Sequence, residues 1–515
     1  MISFVPPSLV ESRGWARRFA RGSALGLAAA MLVLVVCNRY APNRPVDQRD
    51  DRQHFYYGSI GSDTSAGLPL RVMKVLPRVF PEYLPAGAAR RDYTAFGFLQ
   101  EPGHDMPIGF SIRRQFIDLT AINCGTCHTG SVREAPGSAP MVIAGMPAIT
   151  VDLMAYFRFL FDCTSDWRFS PDYLLPEMDK DAHLGPVDRA LYSLVIQLMQ
   201  RGVLARKAKL AVFFGDDYPR FGPGRVNTFD TFKFDQFAST YQGHAIPRAE
   251  LYGTVDFPSV WNQAPREGLH LHWDGNNTSV RERNFSAAFG AGATPDSVDT
   301  ARMFRIEAWL RTLPPPSYPF AIDGERARRG EAIYRQYCFR CHDFRGPEVG
   351  TVVRLDQIGT DRHRLDSYTP FLLEAQKIYT AGKPWAFTHF SKTDGYANLP
   401  LDGVWARAPY LHNGSVPSLW DLLAPAEQRP KVFTRGSDVY DQARMGFRHE
   451  VLTGSRDAGF RDARGAPYRG TEFIFDTAET GNASTGHTGA AYGTLLGDDD
   501  KYALIEYFKW QDRPR

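Results

Sequence analysis

The chain has 515 residues, 43% of them hydrophobic, and a formal net charge of +3. That length exceeds one ordinary domain, and that hydrophobic fraction excludes a chain embedded mostly in lipid. The positive excess lies at the N-terminus, in Arg13, Arg17, Arg18 and Arg21 against Glu11, and no basic block recurs downstream, so nothing points to nucleic acid.

The basic N-terminus runs into an apolar stretch at 22–37, GSALGLAAAMLVLVVC. Positive charge before a short apolar run is the pattern of an export signal. The run is shorter than the ~20 residues that cross a bilayer comfortably, and no small-x-small cleavage site follows it. Residues 1–42 are therefore read as a signal anchor or, alternatively, a cleaved signal peptide. Arg17, Arg18 and Arg21 stay cytoplasmic, and the rest lies on the periplasmic side of a bacterial inner membrane, anchored or released.

Residues 43–65 are polar and read as a linker. A first domain is expected over 66–320. It closes on a helix with Thr294 as N-cap and Pro295 in its first position, burying Met303, Ile306, Leu310 and Leu313 and stopping at Pro314-Pro315-Pro316. A second domain is expected over 321–515. Asp323 caps a helix that leads straight into Cys338, and the domain closes on a helix from about 498 to 510 with acidic residues in its first turn. The closing helices are alike, IEAWLRTLPPP and LIEYFKWQDRP. The predicted fold is mainly α: two cytochrome c-like haem modules with long irregular loops and insertions, behind the N-terminal segment.

Four of the six cysteines lie in two pentapeptides, Cys124-Gly-Thr-Cys127-His128 and Cys338-Phe-Arg-Cys341-His342. Two thiols at this spacing reach the two vinyl groups on one porphyrin edge, and the adjacent histidine then lies under the iron. Zinc would need a completing set of Cys or His ligands. Two covalently bound haem c groups are expected, on Cys124 and Cys127 and on Cys338 and Cys341, with His128 and His342 as axial iron ligands. Cys37 falls in the apolar run, and Cys163 reads as a small buried hydrophobe.

The identity of each sixth iron ligand decides between electron transfer and oxygen or peroxide chemistry. His487 lies in a Gly-rich loop, GNASTGHTGAAYGT, able to approach a haem face. His412, in RAPYLHNGSVPSL, is a candidate hydrogen-bonding group beside the second haem. His270 and His272, in LHLHWDGNN, could reach a haem but suit a polar network better; Met445 is a further candidate.

Together the two motifs and RAPYLHNGSVPSL resemble the bacterial dihaem cytochrome c peroxidase and methylamine-utilisation superfamily, in which the matching histidine packs beside the second haem. Three segments resemble the branch of rubber-oxygenase-like dihaem cytochromes more closely: LHWDGNNTSVRERN, WARAPYLHNGSVPSLWDLL and GNASTGHTG. That resemblance implies that His487 is the distal ligand of the C-terminal haem. Ala426 stands where the peroxidases carry an axial Met, which also turns the reading towards His487. The resemblance implies further that the distal side of the first haem is open or weakly occupied, with 261–294 lining it and Trp273, Phe285 and Phe289 as its aromatic candidates. Glu282 could carry a proton there, or form a solvated ion pair with Arg281 or Arg283.

The expected function is an exported dihaem oxidoreductase, peroxidase-like, with a His/His relay haem and a reactive haem that uses peroxide or oxygen. The alternatives are an oxygenase cleaving an apolar, polyisoprenoid-like substrate, and a membrane-tethered electron carrier. The expected partners are an electron-donor protein or small redox carrier, and peroxide or oxygen.

Overall fold

The computed structural model describes residues 43–215, 218–238, 240–241 and 246–512, with Gly26, Met31 and Val33. Apart from those three residues, the expected anchor at 22–37 lies outside the described residues. Among the described residues no helix is long and apolar enough to cross a membrane.

Residues 43–65 correct the sequence reading, because they are core rather than linker. Asp50 caps a helix, Asp51–Tyr57, by accepting from the Gln53 backbone, and Phe55, Tyr56, Tyr57 and Ile60 are buried. A buried carboxylate then pins this segment to a strand. Asp63 accepts from Ser59 Oγ at 2.9 Å, Ser111 Oγ at 3.0 Å and Arg113 Nε at 3.0 Å. Arg113 belongs to Phe110–Arg114, which pairs antiparallel with Leu119–Ile122 from Phe110↔Ile122 to Arg113↔Leu119. Arg44–Pro45 and Leu68–Pro69 complete this four-stranded sheet at its edges. The strand Leu119–Ile122 delivers the chain directly to the first motif.

Downstream, Leu153–Ser165, Pro171–Asp181 and Pro186–Lys209 form a helical insertion that shares an apolar core with residues 70–110, in which Cys163 is fully buried as expected. The helix that closes the first half is Thr300–Thr312, not one starting at Thr294: Asp299 accepts from the Arg302 backbone and is the N-cap, while Thr294–Ser297 form a separate turn. Both sites obey cap chemistry, and the sequence alone does not rank them.

In the second half Asp323 caps Gly324–Tyr337, as expected, and this helix hands over at Cys338 to the short helix Phe339–His342. The terminal helix Asp498–Trp510 crosses Gly324–Tyr337 closely. A Cβ at Gly330 would run into the Ala503 carbonyl, so only glycine allows the approach. Strands are more numerous than the sequence signal implied, but short. The second four-stranded sheet runs in the order Gly459–Arg461, Val451–Ser455, Val432–Arg435, Phe473–Asp476.

The aromatic core between the halves is shared. Phe55, Phe229, Phe285, Phe289, Met303 and Ile306 from the first half form one cluster with Tyr368, Leu372, Trp385, Phe387 and Phe390 from the second.

Candidate functional site

The first motif forms a short helix, Cys124–His128, whose N-cap is Asn123. Its side chain accepts from Gly125 N at 2.9 Å and donates to Gly58 O at 2.8 Å and Tyr56 O at 3.2 Å, tying the motif to the preceding helix. His128 bonds through Nδ1 to the Pro258 carbonyl at 2.8 Å. A carbonyl only accepts, so Nδ1 carries the proton and Nε2 is left with its lone pair. The His128 ring is half-buried, yet removal from water pushes its pKa down to about 4.

The second motif repeats this arrangement. His342 bonds through Nδ1 to the Leu399 carbonyl at 2.7 Å, and burial lowers its pKa as well. The carbonyl is a proline's own in the first half and precedes a proline in the second, and each proline is followed by a Val-Trp pair, Phe257-Pro258-Ser-Val-Trp261 and Leu399-Pro400-Leu-Asp-Gly-Val-Trp405. Pro258 and Leu399 went unnoticed in the sequence, and this repeat is the signal that could have found them.

His487 faces His342 with ring centroids 6.3 Å apart and planes at 42°. Two imidazoles that share one metal at about 2 Å from each nitrogen, with roughly 1 Å more to each ring centre, stand about 6 Å apart. His487 has φ +46°, a left-handed conformation rare outside glycine, and burial pushes its pKa down to about 3. Its loop is held from behind. Buried Arg429 donates to Ser484 O at 2.7 Å, Gly486 O at 2.9 Å and His487 O at 3.0 Å, while Asn413 donates to Gly481 O at 3.1 Å and Ala483 O at 3.0 Å. Gly486, at φ +75°, lies against the backbone of Ile358–Thr360 with no room for a Cβ. Arg429 and Asn413 were also unforeseen; nothing in a lone Arg or Asn marks it as a loop clamp.

His412 is 4% exposed, stacks on Tyr396 at 4.3 Å and has its Nε2 3.2 Å from the Tyr396 hydroxyl. Its carbonyl accepts from Asp256 N, so it bridges the two halves. Met445 is fully buried in an apolar cluster. Trp273 donates its indole N–H to Asp256 O at 3.0 Å and is half-buried. Phe285 and Phe289 lie in the shared core, Phe285 stacked on Trp385 at 4.7 Å and Phe289 5.4 Å from the same ring; their whole surface is spent on packing.

Glu282 corrects the reading of it as half of a solvated ion pair. It is 4% exposed and forms no ion pair with Arg281, which pairs with Glu307 instead. Its carboxylate accepts from Asn277, the Thr388 backbone and hydroxyl, and His389, and so anchors the 388–389 loop.

The donor set fits haem c. Each motif presents two half-buried thiols free of disulfides, of which Cys341 donates to Glu348 at 3.2 Å, beside an imidazole whose Nδ1 is occupied and whose Nε2 is available. Burial raises the pKa of Cys124 and Cys338 to about 12, so all stay neutral thiols until they are alkylated. Among the described residues no three His, Cys, Asp or Glu side chains gather as a bare metal site would require.

These features define a cytochrome c-like protein with covalently bound haem c. Residues 395–434 match the family model described as RoxA-like, cytochrome c-like, a stretch that contains Leu399, His412, Asn413 and Arg429. Two similar proteins come from Sinorhizobium fredii (strain NBRC 101917 / NGR234). Uncharacterized protein y4iM is 32% identical over 336 residues, 57% of this chain and 72% of that protein. Uncharacterized protein y4iJ is 25% identical over 80% of this chain and 83% of its own length. The chain belongs to the family of y4iM. The RoxA-like match, over residues 395–434 of this chain, points coarsely to a haem-containing oxidoreductase.

Proposed function

We propose that the chain is a dihaem oxidoreductase of peroxidase-like chemistry, with a closed relay haem in the second half and a reactive haem in the first. The observation that carries this reading is the asymmetry of the two motifs. His342 has His487 opposite it at a separation suited to one shared iron, while among the described residues the ring contacts pair His128 with no second imidazole.

Bound haem c supplies the redox chemistry; the chain supplies orientation and access. Cys124, Cys127, Cys338 and Cys341 hold the two groups. The carbonyls of Pro258 and Leu399 keep Nδ1–H of His128 and His342 in place, which fixes the tautomer and makes each Nε2 a stronger donor. Arg429 and Asn413 hold the His487 loop, so that two strong ligands exclude substrate from the second site. Electrons reach the protein from a donor protein or small redox carrier on the periplasmic side of the inner membrane, to which residues 22–37 attach it or from which it is released after cleavage.

The RoxA-like match supports a second reading, an oxygenase acting on an apolar polyisoprenoid-like substrate at the first haem. One set of measurements separates these readings. Intact mass should show two covalent haems, and Cys124→Ser/Cys127→Ser and Cys338→Ser/Cys341→Ser should each lose one. The reduced protein should bind one carbon monoxide. Peroxide consumption with a reduced donor supports the peroxidase reading, and oxygen uptake on polyisoprene supports the oxygenase. A reduced protein that is wholly low-spin and binds no carbon monoxide refutes both and leaves an electron carrier.

A further inference from the structure

Each motif histidine is gripped twice by one later segment of the chain. In the first half the Pro258 carbonyl accepts from His128 Nδ1 at 2.8 Å. Val260 N donates to Gly145 O at 2.9 Å, and Gly145 N donates to His128 O at 2.8 Å. In the second half the Leu399 carbonyl accepts from His342 Nδ1 at 2.7 Å, and Leu401 N donates to His342 O at 3.3 Å. Segments 258–262 and 399–403 thus set both the ring and the main chain of the two histidines. An imidazole held through Nδ1–H is a stronger donor at Nε2, and displacing the acceptor weakens it.

Asp402 joins the two segments. It follows Leu401 directly, and its carboxylate crosses to the other segment, accepting from Asn262 Nδ2 at 2.9 Å and pairing with Arg266. Its carbonyl accepts from Trp261 Nε1 at 3.1 Å. On its own side the carboxylate pairs with Arg407 Nη2 at 2.9 Å. Arg407 Nη1 donates to Pro400 O at 2.7 Å, one residue from the carbonyl that holds His342. The Asp402 side chain is 11% exposed. Burial opposes its charge, but Arg266 and Arg407 outweigh burial and hold its pKa below the ordinary carboxylate range.

The join is close-fitting. Trp261 lies against Gly403 with no room for a Cβ. Asn262 holds φ +50°, a left-handed conformation that a non-glycine residue keeps only where its surroundings over-determine it. From behind, Gly403 N donates to Asp512 Oδ2 at 2.7 Å and Gln511 Nε2 to Leu401 O at 2.8 Å. Loss of the carboxylate would leave two buried guanidiniums without their common partner, which is far more costly than loss of an exposed pair.

We propose that Asp402 is a positioning residue for both haems: it locks segment 258–262 to segment 399–403, so that one carboxylate sets the donor strength of His128 and of His342 together. This rests on the dihaem reading above and deepens it, because the relay site and the reactive site then share one support behind their motif histidines.

The test uses the full-length holoprotein and three variants. Asp402→Glu keeps the charge and moves the carboxylate. Asp402→Asn keeps an acceptor for Asn262 and removes the charge. Asp230→Asn is the control, a fully buried carboxylate whose partners Tyr218, Asn227 and Lys233 lie in neither segment. The readout is the solvent-exchange rate of the two Nδ1–H protons, followed by NMR of their hyperfine-shifted resonances. Either Asp402 variant should speed exchange at both His128 and His342 by about 10-fold, the factor that goes with one lost hydrogen bond to a charged group. Both midpoint potentials should rise as the imidazoles become weaker donors. Should one variant fail to mature, the other decides. Faster exchange at His342 alone overturns the shared role. Unchanged exchange at both histidines, or equal acceleration in Asp230→Asn, overturns the inference. While intact mass still shows two haems, the dihaem reading survives each of these results. A wild-type protein with fewer than two covalent haems overturns both.

Discussion

Replacing Arg429 with methionine tests how the second motif is held closed. The Arg429 side chain is 2% exposed and spends its Nη atoms on carbonyls of the loop that carries His487, at 2.7, 2.9 and 3.0 Å. Hydrogen bonds from a charged donor contribute about 1.5–3 kcal/mol each, so three amount to roughly 4.5–9 kcal/mol gross. Burial of the guanidinium opposes this, as its pKa, pushed down to about 10, records; such desolvation costs several kcal/mol and leaves about 2–4 kcal/mol net. His487 carries a left-handed backbone that costs about 1–3 kcal/mol, so the lost clamp is at least comparable to the strain it restrains. Arg429→Met should therefore lower the unfolding free energy by about 2–4 kcal/mol in urea titration. It should also give the oxidised protein a partly high-spin second haem and let carbon monoxide reach it. Arg429→Lys, a point charge without the planar fork, should fall between. A stability loss under about 0.5 kcal/mol, the size of an ordinary surface change, together with an unchanged low-spin spectrum, would refute the reasoning.

Three further outcomes can be checked. Gly330→Ala forces a methyl group into the Ala503 carbonyl and should cost about 1–3 kcal/mol, read from the urea midpoint. His54 is buried and its pKa is pushed down to about 4 by desolvation and by Arg305, below the ordinary 6.5. The unfolded chain therefore binds the proton first: the stability from neutral His54 is complete above pH 6.5 and is lost as pH falls towards 4, by about 3 kcal/mol in all. His54→Phe should flatten that part of the pH–stability curve, and an unchanged slope would exclude His54 as its source. Glu282→Gln breaks the anchor of the 388–389 loop and should cost about 2–4 kcal/mol, yet leave the pH profile of peroxide turnover in place; a shifted profile would return Glu282 to the role of proton carrier.

The parts of the site that rest on residue type were legible in the sequence. Two thiols and an imidazole at fixed spacing carry their chemistry openly, and a helix cap such as Asp323 is local. The carbonyls of Pro258 and Leu399 were not legible, because every residue has a carbonyl and only the fold aims one at a histidine. Residues 43–65 were misread because burial of Asp63 and of Phe55–Tyr57 depends on strands and helices far along the chain. Phe285 and Phe289 went the other way: aromatic side chains near a haem motif suggest a pocket, but Trp385 and Phe387, a hundred residues later, take up their surfaces.

The shared aromatic cluster also sets an order of maturation. Cys124–His128 is made early, but Trp385, Phe387 and Phe390, which complete the core beside it, follow more than 250 residues later. The thiols must stay open to the attachment machinery while the chain is still incomplete, and the same thiols become desolvated once the cluster closes. Cys124 and Cys127 are half-buried in the folded chain, so haem attachment at the first motif is favoured before Trp385, Phe387 and Phe390 close the cluster beside it.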